Sequence, residues 1–297
     1  MDRLPRSSPP PLRLLVLDVD GTLTDSSHRV SAVALEAVAR VHHAGVRVMI
    51  ATGRRYRDTL PIASALGIDV PIVTASGALV KRPSDHATLA RAAFAPGVLE
   101  GVVRYVAAAG HEPILYSDSY HRGFDFHCRT LADASSDPGP VGVGGLREYL
   151  GRNRDLADVL PALHELPPAD VFAGFTMGTH DEMTALEAGL DEAFPSSLSL
   201  HTIKSPRYRD WMCEIAPVGV TKWSGVMAVA AGWGIAAEEI CAVGDDVNDI
   251  PMIRAAGLGL AMGNARPEVQ AVADGVVGHH DATGIADVAA AVLARLA

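Results

Sequence analysis

The chain opens its ordered pattern with a run of Leu and Val at residues 12–17. The run is too short for a helix and is bounded by a turn, so it predicts a buried strand. Over residues 31–44, Val33, Ala34, Ala37, Val38 and Val41 then recur at helical spacing, and Gly45 closes the segment. "VRVMI" (46–50) predicts a second buried strand, with "ATGR" (51–54) as its exit loop. Residues 56–66 read as a helix stopped by Gly67, and "VPIVTAS" (70–76) as a third strand. Strands alternating with helices, without hairpin signals, predict parallel crossovers and an α/β sheet covered on both faces.

The same rhythm returns near the C-terminus. Residues 219–234 predict a helix, 239–246 a strand and 248–257 a short helix. "LGLAM" (258–262), "GVVG" (275–278) and a helix over 284–296 follow. Between the two blocks the texture changes, with a Gly/Pro-rich stretch at 135–145, whose "GVGG" (142–145) reads as a flexible cap loop, and two strand-then-helix patterns. This predicts a tail over 1–11, a Rossmann-like parallel-sheet core from 12–82 and 211–297, and an inserted α/β cap domain over 83–210. No repeat of solenoid period is visible.

Composition narrows the function. The 297 residues carry a net charge of −10, which argues against nucleic-acid or anionic-membrane partners, since both need basic patches. A small phosphorylated metabolite stays open as partner, provided local cations outweigh the global field; oligomeric state is not legible. The three cysteines, Cys128, Cys213 and Cys241, show no CxxC spacing and read as reduced thiols. No apolar run reaches a membrane span, and the proline-rich "MDRLPRSSPPP" has no signal-peptide core, so the expected location is cytoplasmic.

The chemistry gathers at strand ends. The first apolar run stops at Asp18 and Asp20, two carboxylates that are expensive to desolvate without a positive partner. Strand alternation sends both to one side. Three further pieces fall at the carboxyl ends of predicted strands or just inside a helix: "TGR" (52–54), Lys222 and "GDDVND" (244–249). Open α/β sheets place their ligands at those ends. Each has a plainer reading: a DxDGT turn, a Thr52 helix cap, a solvated Lys222.

In that order the four motifs resemble the haloacid dehalogenase superfamily. The long insertion, with "GVTK" and "GDDVNDIPM" after it, resembles the Cof-type, subfamily IIB sugar-phosphatase branch. The resemblance implies a phosphoric monoester hydrolase in which Asp18 attacks phosphorus to give an aspartyl-phosphate. Asp20 is then the general acid and, in the second half-reaction, the base. It implies Mg2+ held by an Asp18 oxygen, the Asp20 carbonyl and Asp245. Thr52, Gly53, Lys222 and Asn248 are expected on the phosphate, and Asp249 behind them, orienting Lys222 or metal-bound water. Asp246 reads as a solvated residue outside the metal shell. A phosphomutase of the phosphomannomutase type and a non-catalytic sugar-phosphate-binding regulator are the rival readings.

Two departures from the family pattern stand out: Ser76-Gly77-Ala78 where Asn-Gly-Ala is usual, and Trp223 after the helix lysine where a small residue is usual. His42-His43 and His279-His280 are adjacent pairs, which do not share a helix face and lack an evident third ligand, so both read as surface histidines. Residues 180–194 predict a helix of the cap. Arg207, Tyr208, Arg209 and Trp211, where the cap returns to the core, read as possible contacts to a sugar or second anion, or as a solvated strand edge.

Overall fold

The computed structural model describes residues 10–131 and 144–296. Most of the expected N-terminal tail and most of the Gly/Pro-rich stretch lie outside the described residues. The fold is α/β, and the chain forms two compact units.

The first unit comprises the residues through Thr52, Pro61–Ile72 and those from Val226 onward. Its centre is a five-stranded parallel sheet in the order Gly275–Val276, Leu258–Ala261, Ile240–Gly244, Leu14–Leu17, Arg47–Ile50. Leu17 stands beside both Val243 and Ile50, so these three adjacent strands reach the same level. Leu14–Leu17 and Ile240–Gly244 are buried along their whole length, as continuous apolar runs require of a sheet covered on both faces.

The helix Ala32–His43 starts where Ser31 Oγ accepts the Ala34 N–H at 3.1 Å, a side-chain cap. It buries Ala34, Ala37, Val38 and Val41 of the stripe its spacing predicts, leaves Val33 exposed, and packs on the helix Gly284–Ala294. Short helices at Lys222–Ala230 and Ile250–Ala255 replace the longer predicted ones, because 3-10 turns at Ala231–Trp233 and Val247–Asp249 take the flanking residues.

The third predicted strand corrects the sequence reading. Only Ile72–Thr74 is extended, and it joins a separate three-stranded sheet with Leu79–Lys81 and Thr88–Arg91. The reason is the turn between them: Ala75 and Ser76 take left-handed φ of 47° and 53°, and Gly77 takes 105°. Such a turn folds the chain back as a hairpin where a crossover was expected.

The second unit comprises Gly53–Leu60 and Val73–Gly225, and contains the whole of 83–210. Its six-stranded sheet runs Leu198–Lys204, Trp211–Pro217, Val171–Gly178, Ile114–Ser117, Phe126–Cys128, Ala157–Val159. All pairs are antiparallel except the last. The helices Val98–Ala108 and His180–Ala193 close one core with Val102, Val106, Met183, Leu186, Leu190, Cys213 and Ile215. The second of these is the helix predicted at 180–194, held at its start by reciprocal bonds between Thr179 and Glu182.

Candidate functional site

In the first unit the candidate residues gather where these three adjacent strands end. Asp18 follows Leu17 directly, is only 4% exposed, and donates its N–H to the Val243 carbonyl at 3.1 Å. The backbone then leaves the strand through Asp20 (φ −76°, ψ 127°) and Gly21 (φ 72°). A Cβ at Gly21 would lie 2.2 Å from Asp245 Oδ2, so only glycine lets this turn approach the next strand end. Thr22 Oγ1 donates to Asp245 Oδ1 at 3.2 Å, and Asn264 Nδ2 donates to the Gly21 carbonyl at 2.7 Å. Thr52, buried, leaves the strand on the other side of Asp18.

Asp245 follows the strand Ile240–Gly244, and the turn Val247–Asp249 carries buried Asn248 and Asp249. Asp249 Oδ2 accepts the N–H groups of Asp245 at 3.0 Å and Asp246 at 3.1 Å, so it locks the loop that presents Asp245. The missing side chain at Gly244 makes this lock feasible, since a Cβ there would meet Asp249 Cγ at 2.2 Å. One carboxylate oxygen each from Asp18, Asp245 and Asp249 lies within 4.8 Å of the others. Like charges at that range repel strongly when partly buried, and a cation between them removes the conflict. The donor set is oxygen only, which fits a hard ion such as Mg2+.

Asp246 does more than face solvent. Its Oδ1 accepts the Val247 N–H at 2.7 Å and pairs with Arg266 Nη1 at 3.2 Å, so it shapes the same loop. Sequence reading also missed Asn264 and His28. Asn264 sits in "MGNA", a polar signal directly after the buried strand Leu258–Ala261. His28 holds a left-handed φ of 59° in a turn organised by Asp25, with Nδ1 3.4 Å from Asp20 Oδ1.

Gly53 and Lys222 belong to the second unit. Lys222 is 2% exposed and opens its helix, whose start is fixed by Thr221 Oγ1 accepting the Ser224 N–H and Ser224 Oγ accepting the Thr221 N–H. A Cβ at Gly77 would fall 1.9 Å from the Thr221 carbonyl, so the hairpin turn abuts this helix start. Gly53 borders a small pocket with Ser76, Tyr116, Phe175, His201 and Glu214. There Ser76, one of the two departures noted above, donates to Glu214 Oε2 at 2.8 Å.

The residues read as possible sugar or anion contacts are engaged within the second unit. Arg207 approaches Asp58 at 3.6 Å, Tyr208 accepts from Asn153 at 2.8 Å, and the Arg209 carbonyl accepts from Lys204. Trp211 packs on the helix–sheet core. Arg55, the second arginine of "TGRR", is buried among them, bonded to Asp58 at 2.7 Å and Asn153 at 2.6 Å.

The Gly21 turn yields a prediction. Ala at either Gly21 or Gly45 (φ 88°) meets the same left-handed backbone cost, about 1–2 kcal/mol. Nothing lies within 4 Å of a Cβ at Gly45, whereas at Gly21 the methyl must displace Asp245. Thermal unfolding should therefore show Gly21→Ala well below Gly45→Ala. Equal midpoints would refute the close approach.

A family model described as haloacid dehalogenase-like hydrolase matches residues 15–288. Phosphatase YwpJ of Bacillus subtilis (strain 168) is 28% identical over 283 residues, 93% of this chain and 98% of that protein. The 5-amino-6-(5-phospho-D-ribitylamino)uracil phosphatase YitU of the same organism is 27% identical over 275 residues, 92% of this chain and 94% of that one. The solved structure of the subclass IIB sugar phosphatase BT4131 superposes with a TM-score of 0.72 at 22% identity. It covers 93% of this chain and 97% of its own.

Proposed function

Because the chain belongs to the haloacid dehalogenase-like hydrolases, we propose that it is a phosphatase of the Cof type, hydrolysing a small phosphorylated metabolite through an aspartyl-phosphate on Asp18. The observation that carries this is the convergence of the Asp18, Asp245 and Asp249 carboxylates at the ends of adjacent parallel strands. The names of YwpJ and YitU support the reaction class, and that of BT4131 agrees with a sugar phosphate as substrate.

In the first half-reaction an Asp18 oxygen attacks phosphorus while the ester P–O bond breaks. Asp20 gives its proton to the departing alkoxide. In the second, Asp20 takes a proton from water as its oxygen attacks phosphorus, and the bond to Asp18 breaks to release phosphate. Thr52, Gly53, Lys222 and Asn248 hold the phosphoryl oxygens; Lys222 acts as a point charge. Asp18, the Asp20 carbonyl and Asp245 would hold Mg2+, with Asp249 fixing the Asp245 loop behind them. When bound, the ion supplies positive charge against the phosphoryl group and the clustered carboxylates. Core chemistry is assigned to 12–82 and 211–297, and leaving-group selection to the cap at 83–210.

Cys128, Cys213 and Cys241 are buried and free, and burial pushes the Cys128 thiol up to about 11. Inert, unpaired thiols suit a cytoplasmic enzyme. No helix among the described residues is long and apolar enough to cross a membrane.

The test is phosphate release and isomer formation across a panel of phosphate esters, with chelator and with metal added back. Chelation should stop release, Mg2+ should restore it and Ca2+ should serve poorly, since its looser shell misplaces the nucleophile. Isomer formation without phosphate release would indicate a mutase, and full activity in excess chelator would contradict the metal requirement.

A further inference from the structure

We propose that His279, His280 and Asp281 form a second cation site in the first unit, one that selects a borderline divalent ion such as Zn2+ and is separate from the oxygen-only cluster. The loop joining Gly275–Val276 to the helix Gly284–Ala294 carries them in "GHHDATG". On a helix, adjacent histidines would diverge. In this loop their ring centroids are 4.7 Å apart, and the neighbouring carboxylate supplies the third ligand that spacing alone did not reveal.

One nitrogen of each ring and one Asp281 oxygen lie within 4.8 Å of one another. His279 Nδ1 stands 3.8 Å and His280 Nε2 3.7 Å from Asp281 Oδ2. Tetrahedral ligands at zinc bond lengths sit roughly 3.4 Å apart, so the two edges to Asp281 close on an ion with shifts of a few tenths of an ångström.

Hydrogen bonding fixes which atoms face inward. His280 Nδ1 is 2.8 Å from the Thr24 carbonyl, which can only accept, so Nδ1 carries a proton and Nε2 is the nitrogen left to face Asp281. His279 Nδ1 accepts the Asp281 N–H at 3.2 Å, a bond that an ion at this nitrogen would replace. Asp281 is oriented by Ser26, whose N–H donates to Oδ1 at 2.7 Å and whose hydroxyl donates to Oδ2. One nitrogen of each imidazole and a carboxylate oxygen are thus gathered at one point of the loop, a donor set that a cation can bridge.

The backbone carbonyl behind His280 plays the part of the outer partner that orients metal-binding imidazoles. Two imidazoles and a carboxylate favour Zn2+, Ni2+ or Co2+ over Mg2+, the reverse of the aspartate cluster. His279 and Asp281 are exposed, which leaves an entry path and an open coordination position for water.

Zn2+ titration of the full chain by calorimetry, in saturating Mg2+ to fill the oxygen-only cluster, tests this. One equivalent should bind, and His279→Ala and His280→Ala should each weaken it roughly tenfold or more. Asp245→Asn should leave it unchanged. Co2+ substitution should give the visible absorption of a four-coordinate N/O site in the native chain and not in His279→Ala, whose exposed side chain can be removed without opening the core. No stoichiometric uptake by the native chain would overturn the proposal. So would uptake that persists in both histidine variants, or that disappears in Asp245→Asn.

Discussion

Asp18→Asn is expected to abolish turnover and leave the fold intact. The position follows a fully buried strand and is anchored through its own N–H to the Val243 carbonyl, a bond the substitution keeps. The amide matches the carboxylate in shape, so packing survives, but it is a poor nucleophile. Removing such a group costs on the order of 10⁴–10⁶-fold in turnover in enzymes that work through a covalent intermediate. Stability should move the other way. Asp18 lies within 4.8 Å of the Asp245 and Asp249 oxygens, so losing one negative charge relieves repulsion whenever no metal is bound. Thermal unfolding in metal-free buffer should give the variant a midpoint equal to or above that of the native chain. Near-normal phosphate release would sink the assignment of the nucleophile.

Asp20→Asn should separate substrates by the quality of their leaving group. A sugar alkoxide leaves poorly without a proton, and a general acid is typically worth roughly 10²–10⁴-fold. An activated aryl phosphate needs little such help, so its first step should be nearly spared. The second step still lacks its base. Rapid mixing with the aryl ester should then show a burst of aryl alcohol followed by slow release of phosphate. Equal loss on both substrates with no burst would make Asp20 a structural or metal-binding residue. Asn at this position also alters the contact with His28, 3.4 Å from Asp20 Oδ1, so His28→Ala belongs beside it as a control for displacement of the side chain.

Much of the first unit was legible because its strands declare themselves. Leu14–Leu17 and Ile240–Gly244 are apolar along their whole length and end abruptly in polar residues, so their presence follows from pattern, although the predicted runs 12–17 and 239–246 are longer than the strands. The run at 70–76 looks the same and behaves differently. Its course is set by left-handed Ala75 and Ser76, residue types that give no warning of that conformation, and by the close approach of Gly77 to the Thr221 carbonyl. "GDDVND" marked Asp249 as a supporting residue expected to orient Lys222 or metal-bound water; its hold on the Asp245 and Asp246 N–H groups was not readable, nor was the work of Asp246 in shaping the same loop, since its partner Arg266 lies 20 residues on. Asn264 and His28 act on the Gly21 and Asp20 segment from loops whose course periodicity does not describe. The same limit hid Asp281 beside its two histidines, because the rule that neighbours diverge applies to helices and strands and not to a curled loop.

The most direct measurement is mass spectrometry of the peptide carrying Asp18, after the Asp20→Asn variant has been mixed with an activated aryl phosphate in Mg2+ and quenched in acid. The variant slows the second step, so the phosphorylated enzyme should accumulate during the burst. One phosphoryl group on Asp18, absent in the Asp18→Asn/Asp20→Asn double variant, is the expected result. A burst of aryl alcohol with the Asp18 peptide unmodified, or with the phosphoryl group on another residue, would contradict covalent catalysis by Asp18.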